Sequence, residues 1–269
     1  MRSPPKIDAF LRICNASKNR FPNILLYDRT RVKIKDNFTG MGDYYHASYV
    51  DSYETKKGYI LAQAPFDDVT QSDFWRMVYQ IVPQLVILLT ATSGSDGRAK
   101  TLKFWPMEKE ERIFAANKIK VKSTHMEQER DLDLYELLIT GTDGEAAVTT
   151  LIHYKKWIED REIPDNLLEF RATVKIWKAR AEKKNRLGPL LLVCPTGVHR
   201  AGTFVALDIV LDRMNKEKRV GYSKTVAVLR KQRYGCLTFF EHYSQIADLI
   251  MRQAISSGIA NPMAISSRK

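Results

Sequence analysis

Cys194 and Arg200 are separated by five residues: Pro195, Thr196, Gly197, Val198 and His199. A thiol and a guanidinium at this spacing can act together if one loop wraps both around a common point. Arginine presents a planar fork of donors that grips two oxygens of a phosphate at once. Thiolate is the reactive form of cysteine, and a donor-rich, cationic setting predicts a depressed pKa for Cys194. The chemistry expected of the pair is attack of the thiolate on a phosphate ester. The plain alternative is a buried cysteine that merely ends a strand.

The flanking elements favour the first reading. Leu190, Leu191, Leu192 and Val193 form an apolar run bounded by Gly188-Pro189, as a buried strand requires. Residues 201–214 carry apolar side chains at helical spacing. A loop that returns from a strand onto a helix N-terminus aims several backbone N–H groups at one place, where the helix dipole adds positive potential. An oxyanion fits such a cradle, which Pro195 to His199 would form and Arg200 would close.

The chain has 269 residues, 44% hydrophobic and 10% aromatic, enough for a sizeable core. One domain over residues 1–255 with a loose tail over 256–269 is expected. No apolar run reaches the ~20 residues of a membrane span, and Met-Arg-Ser-Pro-Pro at the start lacks the apolar segment of a secretory signal. Three cysteines, Cys14, Cys194 and Cys236, suit a reducing compartment, so a cytoplasmic protein or the cytoplasmic portion of a larger one is expected. A net charge of +12 favours anionic partners. No Cys/His spacing suggests zinc, and neither metal nor cofactor is expected. The basic helix over residues 167–183 belongs to no recognised nucleic-acid-binding module, which argues against a dedicated nucleic-acid surface.

The residues around Cys194 resemble the signature loop of the protein tyrosine phosphatases, His-Cys-Ser-x-Gly-x-Gly-Arg-Ser/Thr-Gly. Cys194, Gly197, Arg200 and Gly202 match it. Val193, Pro195, His199 and Ala201 stand where the pattern has His, Ser, Gly and a hydroxyl residue. Lys18-Asn19-Arg20-Phe21 resembles the family's Lys-Asn-Arg-Tyr substrate loop, and the resemblance implies that Phe21 can still stack on a phosphotyrosine ring. Residues 43–51 resemble Asp-Tyr-Ile-Asn-Ala-Ser-Tyr-Val, with His46 in the Asn position. Residues 59–65 resemble Tyr-Ile-Ala-Thr-Gln-Gly-Pro, and Asp73-Phe74-Trp75-Arg76-Met77-Val78 lies in a well-matched helix over 70–82. The fold implied is the family's α/β (α+β) architecture, a twisted mixed sheet flanked by helices.

The departures gather at the chemistry. Trp157-Ile158-Glu159-Asp160 stands for the family's Trp-Pro-Asp acid loop, so Glu159 or Asp160 is the candidate proton donor. The extra methylene of Glu159 displaces its carboxyl by about a bond length, roughly 1.5 Å, and an error near 1 Å costs on the order of a hundredfold. Ser95, with Asp96 beside it, stands near the place of a Glu that orients the signature Arg. Thr238 and His242 replace two Gln residues that position the hydrolytic water. His199 sets a side chain where the loop pattern has Gly, a position where positive φ is expected.

The resemblance therefore implies a pseudophosphatase that binds a phosphotyrosine-bearing or acidic protein segment, with a phosphorylated signalling protein such as a kinase as one partner to test. The alternative is a slow phosphatase that uses Cys194 and Arg200. A third class, charge-driven binding to nucleic acid or anionic membrane, rests on net charge alone. Other expected elements are a helix over 7–16, a strand over 85–90, short exposed strands over 119–121 and 134–138, a strand over 147–157, and helices over 225–233 and 246–254. The mixed-sign charged run 108–112 lies in a stretch expected to form exposed strands with solvated faces, and it is expected to serve only solubility.

Overall fold

In the computed structural model the described residues are 4–35, 40–92, 101–116, 118–158 and 161–261. Among the described residues nine strands form one mixed sheet: β1 Arg31–Lys33, β2 Tyr44–Val50, β3 Tyr59–Gln63, β4 Leu85–Leu89, β5 Glu111–Phe114, β6 Ile119–Gln128, β7 Leu132–Gly141, β8 Ala146–Tyr154 and β9 Leu190–Cys194. Their spatial order is β1-β2-β3-β9-β4-β8-β7-β6-β5. Helices are α1 Asp8–Leu11, α2 Ile13–Ala16, α3 Asp68–Ile81, α4 Leu167–Lys183, α5 His199–Glu217, α6 Tyr222–Gln232 and α7 Phe240–Ser256. This is the mixed-sheet α+β architecture expected from the sequence.

β9 is the central strand. It runs parallel to β3, with Gln63 opposite Cys194, and parallel to β4, with Leu88 opposite Val193. A parallel strand buried on both faces must be apolar throughout, which is why Leu190 to Val193 shows no polar alternation. The period of two still sorts its side chains. Leu190, Leu192 and Cys194 face the layer holding α4 to α7, with Phe204, Ile246 and Ile250. Leu191 and Val193 face the layer of α3, Trp75 and Trp105. Cys194 thus leaves the sheet on the side where α5 begins.

Local chemistry fixes the supporting helices. Asp67 and Thr70 form a reciprocal capping box at the start of α3, and Val82 ends that helix in a left-handed conformation before Pro83. α5 is buried on nearly all sides and lacks a polar stripe. It is tied to α4 by ion pairs from Arg171 Nε to Asp208 and Arg171 Nη2 to Asp212, 2.6 and 2.5 Å, with Lys175 2.6 Å from Asp212. Tyr59 also donates its hydroxyl to Asp208. Burial opposes the charge on Asp208, but Arg171 and Lys175 outweigh it and hold this carboxyl below its usual range.

Several elements differ from the sequence expectation. The helix over 7–16 is two single turns, because Arg12 between them is extended at ψ 131°. The strands expected at 119–121 and 134–138 are two ten-residue strands, and the charged run 108–112 leads into a further strand, β5, on the sheet edge. α7 begins at Phe240, six residues before the expected 246. After α7, Ile259 and Ala260 donate their N–H groups to Ala254 O and pack against the core, so the start of the expected tail is folded back. Among the described residues no helix is long and apolar enough to cross a membrane.

Candidate active site: the loop between β9 and α5

The chain leaves β9 at Cys194 and enters α5 at His199, so the loop is short and tightly held. Gly197 adopts φ +67°, and a Cβ there would lie 2.4 Å from Gln63 N and 2.5 Å from Ala62 C. No side chain fits between the loop and β3, which accounts for glycine at 197. His199 is instead the first helical residue of α5 and is absent from the positive-φ positions. The expectation that a side chain at 199 violates a glycine geometry is corrected: that requirement belongs to Gly197.

Cys194 and Pro195 to Val198 are buried, His199 is half-buried and Arg200 is 2% exposed. Thr196 Oγ1 lies 3.8 Å from Cys194 Sγ and accepts the N–H groups of Val198 at 3.3 Å and His199 at 3.2 Å. Arg200 turns its fork onto backbone carbonyls. Nη1 donates to Trp157 O at 2.9 Å and Leu89 O at 3.3 Å, and Nη2 donates to Ile158 O at 2.9 Å. The expected acid loop is therefore pinned at its start by the residue that would grip phosphate. Glu159 and Asp160, with Ser95 and Asp96 of the other loop, lie outside the described residues.

Past that point the chain is held to α7. Arg161 pairs with Glu241 at 2.8 Å and its guanidinium lies 5.2 Å from the Phe239 ring centre. Ile163 N donates to Gln245 Oε1 at 3.0 Å. Phe239 also contacts the His199 ring at 4.5 Å and the His242 ring at 5.5 Å. His242 is fully buried, with its ring 6.0 Å from that of Trp157. Thr203 gives its one hydroxyl proton to His199 O at 2.8 Å, so at the 2.9 Å contact with Thr203 Oγ1 it is His242 Nδ1 that donates. That tautomer makes His242 a brace for the first turn of α5.

A second brace lies behind the loop. Arg233, 1% exposed, donates to Gly197 O at 3.2 Å, Ser48 Oγ at 3.3 Å and His46 Nδ1 at 2.9 Å. His46 Nε2 lies 2.9 Å from Ile24 O. With Nδ1 accepting, Nε2 carries the proton. Burial, reinforced by the adjacent Arg233 charge, pushes the His46 pKa down to about 3. Burial likewise lowers Arg233 to about 10, still charged at neutral pH.

The Lys18 loop reaches the same ledge through Gln63, the neighbour of Cys194 across the sheet. Gln63 Nε2 donates to Lys18 O at 2.9 Å, and its Oε1 accepts from Arg20 N at 3.0 Å. Lys18 pairs with buried Asp73 at 2.7 Å, alongside Arg76. Phe21 is half-buried with the Arg20 guanidinium 5.5 Å from its ring centre. A cleft of about 500 Å³ runs beside the signature loop, lined by Tyr27, Val198, His199, Arg230, Tyr234, Gly235 and Thr238, among others.

The loop from Cys194 to Arg200 and His242 are thus brought together, and Phe21 belongs to a loop tied to the same sheet edge. Sequence reasoning missed Gln63, His46, Phe239 and the inward hydroxyl of Thr196. Only the last had a local signal: a threonine two and three residues ahead of free N–H groups is a turn-forming pattern.

Comparison with known proteins agrees with this geometry. The family model for protein-tyrosine phosphatase matches residues 15–252. The chain is 28% identical over 236 residues to "Probable tyrosine phosphatase protein N1" of Microplitis demolitor bracovirus (isolate Webb), covering 85% of this chain and 73% of that protein. It is 29% identical over 248 residues to "Tyrosine phosphatase H2" of the same virus, covering 87% and 74%. With "Receptor-type tyrosine-protein phosphatase zeta" of Rattus norvegicus it shares 31% over 251 residues, 90% of this chain but only 11% of that receptor. A Cys-x5-Arg loop set between the central parallel strand and a buried helix, within a match spanning nearly the whole chain, places this protein in the protein-tyrosine phosphatase family.

Proposed function

We propose that this chain is a catalytically impaired tyrosine phosphatase that binds a phosphotyrosine-bearing or acidic protein segment in the cleft beside Cys194 to Arg200. The observation that carries the reading is the internal use of the phosphate-gripping groups. Arg200 is given to the carbonyls of Trp157, Ile158 and Leu89, and two loop N–H groups are given to Thr196. Val193, Thr238 and His242 stand where the family pattern has residues for thiolate stabilisation and water positioning, and His242 works instead as a brace on α5. The cleft itself remains, with Arg230 and His199 on its wall and a +12 chain behind it. A cytoplasmic placement fits three free cysteines.

The slow-phosphatase reading keeps one supporting observation, the retention of both Cys194 and Arg200. Hydrolysis of an aryl phosphate by the wild type and by Cys194→Ser separates the two. Impairment predicts equal, background-level rates, whereas turnover that vanishes in Cys194→Ser selects the enzyme. For binding, Arg200→Met is expected to weaken a phosphotyrosine peptide at least tenfold by calorimetry, since a charged donor pair is lost. Binding that ignores both the phosphate and Arg200, and disappears at moderate salt, would assign the cleft to bare charge attraction.

A further inference from the structure

We infer that the Thr196 hydroxyl is a built-in occupant of the anion cradle, so that an oxyanion binds here only by displacing it. The inference rests on the reading of the loop as a ligand site, and it specifies how that site is regulated.

Thr196 Oγ1 sits where three groups converge: Val198 N at 3.3 Å, His199 N at 3.2 Å and Cys194 Sγ at 3.8 Å. The two N–H groups come from the loop and from the first residue of α5, where donors have no helical acceptor and the dipole is positive. They are the donors that make a helix N-terminus attractive to an anion. An unliganded cradle buried this deeply would leave them without an acceptor, at a cost in stability. A threonine at 196 removes that cost, because its short side chain folds back on N–H groups two and three residues on. The residue is 6% exposed, so water does not readily substitute for the hydroxyl.

The signature pattern leaves the position of Thr196 open, so nothing about the loop's shape demands a hydroxyl there. Its placement has two effects. The cradle is satisfied and rigid without ligand. An incoming tetrahedral anion must also rotate Thr196 about χ1 and break both contacts before it can take the donors, and its own affinity is reduced by that amount. The same hydroxyl also places a hydrogen-bonding group 3.8 Å from Cys194 Sγ. Arg200 is committed in the same sense, to Trp157 O and Ile158 O. The resting loop is therefore self-liganded on both the backbone and the guanidinium side.

Tungstate is a suitable probe, being tetrahedral, doubly charged and independent of thiolate chemistry. Its affinity is measured by calorimetry for the wild type and for Thr196→Ala, Thr196→Val and Thr196→Ser. Valine keeps the shape and removes the hydroxyl, while serine keeps the hydroxyl. We expect alanine and valine to bind tungstate at least tenfold more tightly than the wild type, and serine to stay within about twofold of it. Equal affinity in wild type and valine overturns the inference, as does tightening in alanine alone, which would assign the effect to bulk. Absence of tungstate binding in every variant overturns it too. If Thr196→Val fails to fold, the alanine and serine pair decides by the same comparison. A phosphotyrosine peptide titrated in parallel tests the proposed function separately. Tungstate tightening without peptide binding sustains the self-liganded cradle and sinks the phosphotyrosine reading, and the reverse result does the opposite.

Discussion

Arg233→Met is expected to lower the unfolding free energy by about 3 kcal/mol or more, measured by urea denaturation at pH 7. Arg233 donates to a buried triangle of acceptors formed by Gly197 O, Ser48 Oγ and His46 Nδ1. Methionine fills much of the volume but donates nothing, and each buried acceptor left alone costs on the order of 1 kcal/mol or more. Because Gly197 O is one of the three, the loss is not only global. The signature loop loses its rear support, and its anion affinity should fall even where the protein remains folded. Arg233→Lys keeps the charge but cannot span three acceptors, so it should lie between the two. A Met variant as stable as the wild type would show that the contacts to Arg233 contribute nothing net.

The second large effect is on pH dependence. His46 has its pKa pushed down to about 3, from an ordinary 6.5. In the unfolded chain this histidine takes up a proton below pH 6.5, while in the folded protein it stays neutral until about pH 3. The unfolded state therefore binds more protons across that window, so the stability is fully present above pH 6.5 and is lost as pH falls. Between pH 7 and pH 5 the loss from His46 alone is about 2 kcal/mol. His153, lowered in the same direction by burial, adds to the slope. His46→Asn isolates the first share, since an amide can still accept from Arg233 and donate to Ile24 O without titrating. Unfolding free energies at pH 7 and pH 5 should differ by about 2 kcal/mol less in His46→Asn than in the wild type. Identical pH slopes for the two proteins would reject the assignment.

Both predictions turn on a place the sequence did not reveal. His46 and Arg233 lie 187 positions apart, and each belongs to a segment that reads as ordinary strand or helix end. Only the closure of β2 against the loop after α6 brings them together. By contrast, the signature loop was legible because it is contiguous: an apolar run, five residues and a segment with apolar side chains at helical spacing already fix its ends. The hairpin of β6 and β7 was shortened in the reading for a different reason. β6 alternates buried Ile119, Val121 and Ser123 with exposed Lys120, Lys122 and Thr124, so its charges mark one wet face of a strand, as expected, but they give no signal for where the strand ends. Thr196 shows the limit on the site side. Its identity was plain, but whether its hydroxyl points out to a ligand or back to the loop is a rotamer question that spacing does not answer.

The insertion of β9 between β3 and β4 bears on how the protein is made. Residues 190–194 must slot between strands completed more than a hundred residues earlier. During synthesis, Tyr59–Gln63 and Leu85–Leu89 emerge with no neighbour on their facing edges, and both are wholly apolar or buried in the finished sheet. Non-local parallel pairing of this kind slows folding and leaves sticky edges open in the meantime. A nascent chain halted before residue 190 should aggregate or stay bound to a chaperone, and its release should coincide with the appearance of that last central strand at the ribosome exit.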